Sequence, residues 1–414
     1  MKILIADTII TMDPARPVVR NGAVVFDENI IEVTDDAKVI ERWKSKAEAI
    51  EGGEHSVVMP GLMNAHVHLE FSAHTTQLDY GSFIGWLYTV MEKRESLIGG
   101  CAQACHEAAL SDMLKGGVTT VGAVSSYGFD LAACAAAKQR IVYFNELIGS
   151  NPAAADVIFA DFVDRLERSK EFEGDRFKAG IAIHSPYSVH PALVRKAVSL
   201  ARTRHLPLSA HFMESKSERR WLDSATGEFK PFFEKFLKTS SPVTDAAEFL
   251  ETFEGVKTLF VHCVQATNEE LDKISKMGGA IIHCPVSNRL LGCGLLGLEK
   301  VKNREIPYMV ATDGLSSNHS LDLFGELRSA LFMHEGLDLP LLARDLLRSV
   351  TDVAASQLGV NAGRLAPERA ADMLLFRLPD RIEDAAMIYA QAILHAPKQM
   401  DNVFINGEQI LWND

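Results

Sequence analysis

The chain has 414 residues and a formal net charge of −13, with 47% apolar and 23% charged residues. This length accommodates one large α/β domain plus a smaller part, and the composition is ordinary for a soluble globular enzyme. The acidic balance argues against nucleic acid or an anionic membrane surface as a partner.

Neither a targeting segment nor a disulfide framework is expected. No apolar run is long enough to span a bilayer, and Asp7 interrupts the apolar run at the N-terminus. Six cysteines in so long a chain favour a reducing, cytoplasmic location. Cys101 and Cys105 lie four residues apart without a second pair, so we interpret them as packing residues.

The two chain ends have the same character. Residues 1–58 read as short alternating strands, with Asn21-Gly22 as a hairpin signal, but they hold too little apolar material to fold alone. Residues 361–414 contain two strand-like runs of the same type, and Asn406-Gly407 supplies another tight turn. We therefore expect both ends to build one small β-sandwich domain.

Residues 59–360 alternate between strand-like and amphipathic helix-like runs. Eight strand candidates are found at Met63–His68, Thr119–Val124, Ile141–Leu147, Lys178–His184, Leu206–His211, Lys257–His262, Ala280–His283 and Tyr308–Thr312. Eightfold βα alternation over about 300 residues is typical of a (β/α)₈ TIM-type barrel. A doubly wound open sheet is the alternative, and in both folds the functional residues gather at the carboxyl ends of the strands.

Polar side chains stand at the ends of these strand candidates. They are His66, His68, His184, His211, His262, His283 and Asp313. His66 and His68 point to the same side of a strand, because side chains alternate between the two faces. A lone HxH pair arises easily by chance, whereas a whole set of such groups at one end of a sheet is typical of a site.

This set has the composition of a catalytic metal site. Such a site needs three or four protein ligands and an open position for water, and His66, His68, His211 and Asp313 provide that number. A bound metal lowers the pKa of water toward about 7. Glu214 follows His211 by three residues and is placed to move protons at that water. His262 would stand on the next strand.

Five segments resemble one superfamily of enzymes. PGLMNAHVH, HFMES, VHC, HCPVSN and ATDG, in this order, resemble the amidohydrolase superfamily in its deaminase and chlorohydrolase branch. The resemblance implies that His66, His68, His211 and Asp313 hold one divalent metal, zinc in the first place with iron as the alternative. It also implies that Glu214, His262 and Asp313 are catalytic. Members of the superfamily that bind two metals bridge them with a carboxylated lysine on the barrel. No lysine ends the third or fourth candidate strand of this chain, which favours one metal over two.

The substrate is expected to be a nucleoside. Trp86 and Glu95 resemble the ribose-binding region of S-adenosylhomocysteine and methylthioadenosine deaminases, and His184 matches a histidine that contacts substrate there. An arginine of that group is missing near Asn145. The run LEFSAHTTQLDYGSFIGWL is more similar to aminodeoxyfutalosine deaminases of menaquinone biosynthesis, whose substrate carries a carboxyphenyl-ketone arm. Deamination of 6-amino-6-deoxyfutalosine to futalosine is therefore the leading expectation.

Other functions are also compatible with the sequence. The chain could deaminate adenosine, methylthioadenosine or S-adenosylhomocysteine, hydrolyse another cyclic amidine, cyclic amide or chlorotriazine, or bind a ligand around a metal without turnover. The presence of both Glu214 and His262 speaks against the last reading, because binding alone requires neither. His74 and His319, in loops after the strands, could touch substrate. A homodimer is compatible with the sequence.

Overall fold

The computed structural model describes residues 1–73 and 75–411, so His74 and the last three residues of segment 361–414 lie outside it. The described chain divides into two compact units. The first comprises residues 1–65, 111–121 and 322 onward, and the second comprises residues 66–110 and 122–321. The boundaries expected at 58/59 and 360/361 stay a prediction.

Sixteen strands are present in the described chain. Their bounds are β1 Lys2–Ile10, β2 Val18–Phe26, β3 Ile30–Thr34, β4 Glu48–Glu51, β5 Ser56–Pro60, β6 Leu62–Val67, β7 Val118–Ser125, β8 Arg140–Leu147, β9 Phe177–Ile183, β10 Leu208–Phe212, β11 Thr258–His262, β12 Ala280–His283, β13 Tyr308–Val310, β14 Met373–Arg377, β15 Asn402–Ile405 and β16 Glu408–Ile410. They form two separate eight-stranded sheets.

The first sheet is built from both chain ends. Its order is β16-β15-β14-β5-β1-β2-β3, and β4 pairs in parallel with β1. The C-terminal strand β14 pairs antiparallel with the N-terminal strand β5. Apolar side chains from both ends, including Leu4, Phe26, Met373 and Phe404, share one buried core cluster. The expectation that the two termini join in one β-structure is thus confirmed.

The two predicted Asn-Gly turns have different outcomes. Asn406 and Gly407 both have positive φ, 49° and 70°, and connect β15 to β16 as a tight hairpin turn should. The turn predicted at Asn21-Gly22 is wrong, because both residues lie inside β2. Asn21 has a φ of 47°, and it interrupts the pairing with β1 between Arg20 and Gly22. A left-handed residue here marks a local irregularity of a continuing strand.

The second sheet is parallel and nearly closed. Its order is β13-β12-β11-β10-β9-β8-β7-β6, and each predicted barrel strand is found within a few residues of its expected place. The backbone N–H of Asp313, after β13, donates to the carbonyl of His66 on β6. β6 and β7 are buried along their entire lengths, as strands of a barrel with helices outside should be. The fold is the expected (β/α)₈ barrel.

Sixteen α-helices accompany the sheets in the described chain. They are α1 Ala37–Lys44, α2 Phe83–Gly99, α3 Gln103–Lys115, α4 Leu131–Ala136, α5 Ala155–Lys170, α6 Pro191–Arg204, α7 Lys216–Ser224, α8 Phe229–Phe236, α9 Ala246–Glu251, α10 Asn268–Lys276, α11 Pro285–Leu290, α12 Leu298–Lys302, α13 Leu323–Met333, α14 Leu339–Ser349, α15 Asp352–Leu358 and α16 Ile388–His395. Within the described residues, none of these helices has the length and apolar character to cross a membrane.

One cysteine interpretation needs correction. Cys101 and Cys105 form a disulfide, with their Cα atoms 5.3 Å apart, so they are not simply packing residues. The short segment before α3 brings the two Cα atoms within bonding range, which spacing along the sequence alone does not reveal. Cys134, Cys263, Cys284 and Cys293 are free and buried.

Candidate active site

Five side chains from the strand ends meet in one cluster. Potential ligand atoms of His66, His211 and His262 lie within 4.8 Å of one another, and the same is true of His66, His68 and Asp313. Nε2 of His66 is 3.2 Å from Nε2 of His211 and 3.5 Å from Oδ1 of Asp313. The four predicted ligands are therefore brought together, and His262 lies as close to the cluster as they do.

The imidazoles of this cluster have the chemistry that a divalent cation requires. Nδ1 of His211 lies 2.7 Å from the carbonyl oxygen of His184, and Nδ1 of His262 lies 2.9 Å from Oδ1 of Asn288. Each Nδ1–H therefore donates outward, which leaves the Nε2 lone pair for the cluster. Burial lowers the pKa of His68 and of His262 to about 4, so both rings are neutral near pH 7. The donor set fits a divalent metal.

The Asp313 carboxylate is held by three short hydrogen bonds. Ser287 and Ser317 donate to Oδ2 at 2.8 and 2.9 Å, and the N–H of Gly314 donates to Oδ1 at 2.9 Å. Burial alone would raise the pKa of Asp313. The hydrogen bond from His66 and the neighbouring imidazoles outweigh burial and lower that pKa well below its ordinary value. Asp313 is thus ionised, as a ligand or a proton acceptor must be.

Glu214 lies beside the cluster and has the opposite protonation preference. Its Oε1 is 3.6 Å from Nε2 of His262. Burial, followed by the charges of Asp313 and Glu218, raises the pKa of Glu214 well above its usual range. The carboxylate of Glu218 accepts the N–H groups of Met213 and Glu214 at 3.0 and 2.7 Å, which fixes the backbone of this segment. Glu214 is consequently a buried acid on a rigid support.

The backbone at the cluster is strained. Met213, His262, Cys263 and Asp313 all have φ between 50° and 70°, a region that residues with side chains rarely adopt. Such strain concentrates at functional sites, where the surrounding fold holds it in place. Gly314 adds a close approach, because a Cβ atom there would lie 2.9 Å from the carbonyl oxygen of His68. The site therefore tolerates only glycine next to Asp313 without a shift of the ligand strand.

A cavity of about 400 Å³ opens onto the cluster. His68, His211, Glu214, His262 and Asp313 form one end of its lining. Apolar side chains of α2 and α8 form a long wall, namely Phe83, Trp86, Leu87, Val90, Met91, Phe232, Phe233 and Phe236. A largely apolar cavity with a few convergent polar groups is typical of a small-molecule site.

Two of the three predicted substrate contacts line this cavity. Trp86 does so and donates its indole N–H to the carbonyl of Ser316 at 2.7 Å. His184 also lines the cavity, and its Nδ1 is 2.6 Å from the hydroxyl of Ser188. Glu95 is exposed and lines a neighbouring groove but not the cavity, so the structure does not bring it to the cluster. The helical turn it occupies directs it away from Trp86.

Other strand-end and loop histidines lie apart from the cavity. His283 ends β12 as expected but is buried near Asn288 and is absent from the described cavity lining. His319 is exposed and is likewise absent from that lining. A strand-end position alone is thus an incomplete guide to a site.

Several polar residues of the site escaped the sequence-based reasoning. Glu146 is buried at the end of β8 and lines the cavity, where its Oε2 accepts the hydroxyl of Ser126 at 2.6 Å. Asn288 orients His262, and Ser287 holds Asp313. The segment HCPVSN contained the signal for the last two, because it matched the superfamily pattern. Glu146 also stands at a strand end and could have been found by that rule.

Comparison with known proteins agrees with this arrangement. The matching family model and the deaminase relatives described next indicate a hydrolase that acts on C–N bonds of adenine-type rings. The model of the amidohydrolase family matches residues 57–410. The chain belongs to the amidohydrolase family.

Three relatives show which members of this family the chain is similar to. An aminodeoxyfutalosine deaminase of Nitratiruptor sp. is 45% identical over 95% of this chain and 96% of its own length. An adenosine deaminase of Helicobacter pylori is 34% identical over 95% of this chain and 96% of its own. The crystal structure of Helicobacter pylori aminofutalosine deaminase in complex with methylthio-coformycin matches with a TM-score of 0.94 at 32% identity, covering 99% and 100% of the two chains.

Proposed function

We propose that this protein deaminates the adenine ring of 6-amino-6-deoxyfutalosine, giving futalosine and ammonia for menaquinone biosynthesis. The support for this substrate is the 45% identity to the aminodeoxyfutalosine deaminase of Nitratiruptor, which extends over nearly all of both chains. The match to Helicobacter pylori aminofutalosine deaminase, at a TM-score of 0.94, adds to it.

The observation that carries the reaction type is the pairing of Glu214 with the ligand cluster. A buried carboxyl with a raised pKa lies 3.6 Å from His262, at the polar end of an otherwise apolar cavity. Two carboxyl groups with opposite pKa shifts, Glu214 raised and Asp313 lowered, are the arrangement that acid–base catalysis needs. A site that only bound a ligand would not require two carboxyl groups with opposite pKa shifts.

The cluster would hold one divalent metal, zinc in our proposal, through His66, His68, His211 and Asp313. When bound, such a metal lowers the pKa of water and makes it a nucleophile near neutral pH. His262 lies in the same cluster and would face the water that attacks the substrate. A lysine that could bridge a second metal is missing from the ends of β8 and β9, which are described and carry Glu146-Leu147 and Ile183.

The side chains can carry the protons of the reaction. Asp313, ionised, takes one proton from the attacking water as its oxygen adds to C6, and Glu214, protonated, gives its proton to N1. Asp313 then passes its proton to the amino group, which leaves as ammonia. Glu214 recovers a proton from the C6 hydroxyl as the carbonyl forms. The unprotonated Nε2 of His262 orients the water by accepting a hydrogen bond from it.

Ammonia release from four nucleosides tests the proposal. Aminodeoxyfutalosine, adenosine, methylthioadenosine and S-adenosylhomocysteine are compared with the purified metal-loaded enzyme. We expect kcat/KM for aminodeoxyfutalosine to exceed the others by at least about tenfold, or about 1.4 kcal/mol in transition-state binding. Comparable values for aminodeoxyfutalosine and S-adenosylhomocysteine would contradict the assignment.

A second candidate is deamination of adenosine or methylthioadenosine. It is favoured by the Helicobacter pylori relative named adenosine deaminase and by the methylthio-coformycin bound to the Helicobacter pylori aminofutalosine deaminase. The same four-substrate comparison separates the two candidates. The cytoplasmic location and the homodimer also remain predictions.

A further inference from the structure

The charge of the cavity lining is distributed unevenly. The polar end carries three carboxyl groups, those of Glu146, Glu214 and Asp313. Among the described residues that line the cavity, Arg94 is the one with a permanent positive charge. An anionic group on a substrate would therefore be attracted to Arg94.

Helix α2 fixes the separation between the two ends. Trp86, Val90 and Arg94 follow one another at four-residue steps, which puts them on one face of the helix, and all three line the cavity. Trp86 binds the carbonyl of Ser316, next to Ser317, which holds Asp313. Eight residues of helix place Arg94 about 12 Å farther along the axis, at 1.5 Å per residue. This distance suits a substituent beyond the 5′ carbon of a bound nucleoside.

Arg94 is held against an aromatic ring. Its Nε donates to the Tyr127 hydroxyl at 2.8 Å, and its guanidinium carbon is 5.0 Å from the centre of that ring. Phe71 lies at 6.3 Å from Tyr127 in an edge arrangement, and both line the cavity. The contacts of Arg94 with described residues are those to Tyr127, so the outer edge of its guanidinium is available for a planar anion.

The loop that carries Tyr127 is itself fixed. The Glu70 carboxylate accepts the N–H groups of Ser126, Tyr127 and Phe129 at 2.7, 3.0 and 2.8 Å. Glu70 follows His68 by two residues, so the segment that supplies a ligand also supports the partner of Arg94. The guanidinium is thus positioned by the fold although its side chain is exposed.

We propose that Arg94, supported by Tyr127, is the specificity-determining residue that recognises an aromatic carboxylate at the end of the substrate's 5′ arm. The inference rests on the proposed function, since aminodeoxyfutalosine carries such a group. A guanidinium pairs with a carboxylate through two parallel hydrogen bonds, and the aromatic neighbours pack against the ring that bears it.

The test compares aminodeoxyfutalosine with its methyl ester, which has the same shape without the charge. The wild-type enzyme should prefer the acid. In Arg94→Gln the ratio of kcat/KM for acid over ester should fall by at least about tenfold, mainly through KM for the acid. Arg94→Lys keeps the charge without the planar fork and should restore part of the ratio. The exposed position of Arg94 makes misfolding of these variants unexpected, and circular dichroism checks it.

Lys235→Gln is the matched control. Lys235 contacts the rings of Tyr88 and Phe236 on α2 and α8 but is absent from the described cavity lining, so its variant should keep the wild-type ratio. An unchanged ratio in Arg94→Gln, with the wild type turning over the acid, would overturn the role of Arg94 alone. An equal fall of the ratio in Lys235→Gln would show that loss of any nearby positive charge has this effect, which would also overturn the specific role of Arg94. Failure of the wild type to deaminate the acid would overturn the proposed function itself.

Discussion

The two ends of the cavity are built by different means. At the ligand cluster, side chains come from the ends of rigid barrel strands, and further hydrogen bonds to serine, asparagine or the backbone fix most of them. At the other end, residues come from α2, α8 and the loop after β7, and one exposed guanidinium supplies the charge. The comparison suggests that the chemistry depends on the barrel strands and the choice of substrate on the helices and loop. Changes at the first end should therefore cost turnover, and changes at the second should cost selectivity.

The largest expected effect comes from removing a central ligand. His66 belongs to both triads of the cluster, so His66→Ala should lose the metal and at least about three orders of magnitude in kcat, or about 4 kcal/mol. Elemental analysis of the wild type should give one divalent metal per chain. Two metals per active chain would contradict the mononuclear assignment, and a metal-free but active variant would contradict the site.

Glu214→Gln should separate proton transfer from metal binding. The variant keeps the shape of the side chain but cannot exchange a proton, so we expect normal metal content and a loss of at least about two orders of magnitude in kcat. Single-turnover kinetics measure the loss of rate, and elemental analysis measures the metal content. Near-normal turnover with normal metal content would show that Glu214 is only a buried neighbour of His262.

Gly314→Ala should disturb the cluster without removing any ligand. The added Cβ would lie 2.9 Å from the carbonyl oxygen and 3.0 Å from the Cβ of His68, so the ligand strand must shift. A small misplacement of reacting groups can cost up to about a hundredfold, and we expect about tenfold in kcat. Gly336→Ala, where no heavy atom lies within 4 Å of the added carbon, is the control. Equal kcat in both variants would mean that the close approach is unimportant.

The smallest expected effect is on stability, and it concerns Glu70, whose carboxyl group holds the loop of Tyr127. Burial, followed by the charge of Asp130, raises the pKa of Glu70 to about 8 from an ordinary value of 4.5. Between these values the folded protein binds more protons than the unfolded chain, so the free energy of unfolding decreases as the pH rises. One such group contributes a slope of up to about 1.4 kcal/mol per pH unit.

Denaturant unfolding at pH 6, 7 and 8 measures this slope. Glu70→Gln removes the titrating group, so its free energy of unfolding should depend less on pH than that of the wild type. The exposed Glu335→Gln should keep the wild-type slope. An unchanged slope in Glu70→Gln would show that this carboxyl is already ionised in the folded protein, and the loop of Tyr127 would then be held by a charge.

The same contrast explains what could be predicted from the sequence. Alternation of strands and helices predicted the barrel, and the position of histidines at strand ends predicted that these side chains would converge. Both follow from local periodicity and from where parallel strands end. The position of Glu95 outside the cavity could not be predicted in this way, since the side of α2 on which a residue lies depends on how the helix packs. Arg94 is adjacent to it in sequence and lines the cavity as well as the groove. The turn predicted at Asn21-Gly22 failed because a left-handed residue can also occur within a continuing strand.

Trp86 gives the cavity a built-in optical reporter. Of the described tryptophans, Trp43 and Trp221 are absent from the cavity lining, whereas Trp86 lines it and donates its indole N–H to Ser316. Indole emission responds to the polarity around the ring, so a nucleoside that displaces water from this wall should shift the intrinsic fluorescence. Trp86→Phe should abolish the shift. Ligand affinity can then be titrated directly in the protein without turnover, including for analogues that release no ammonia.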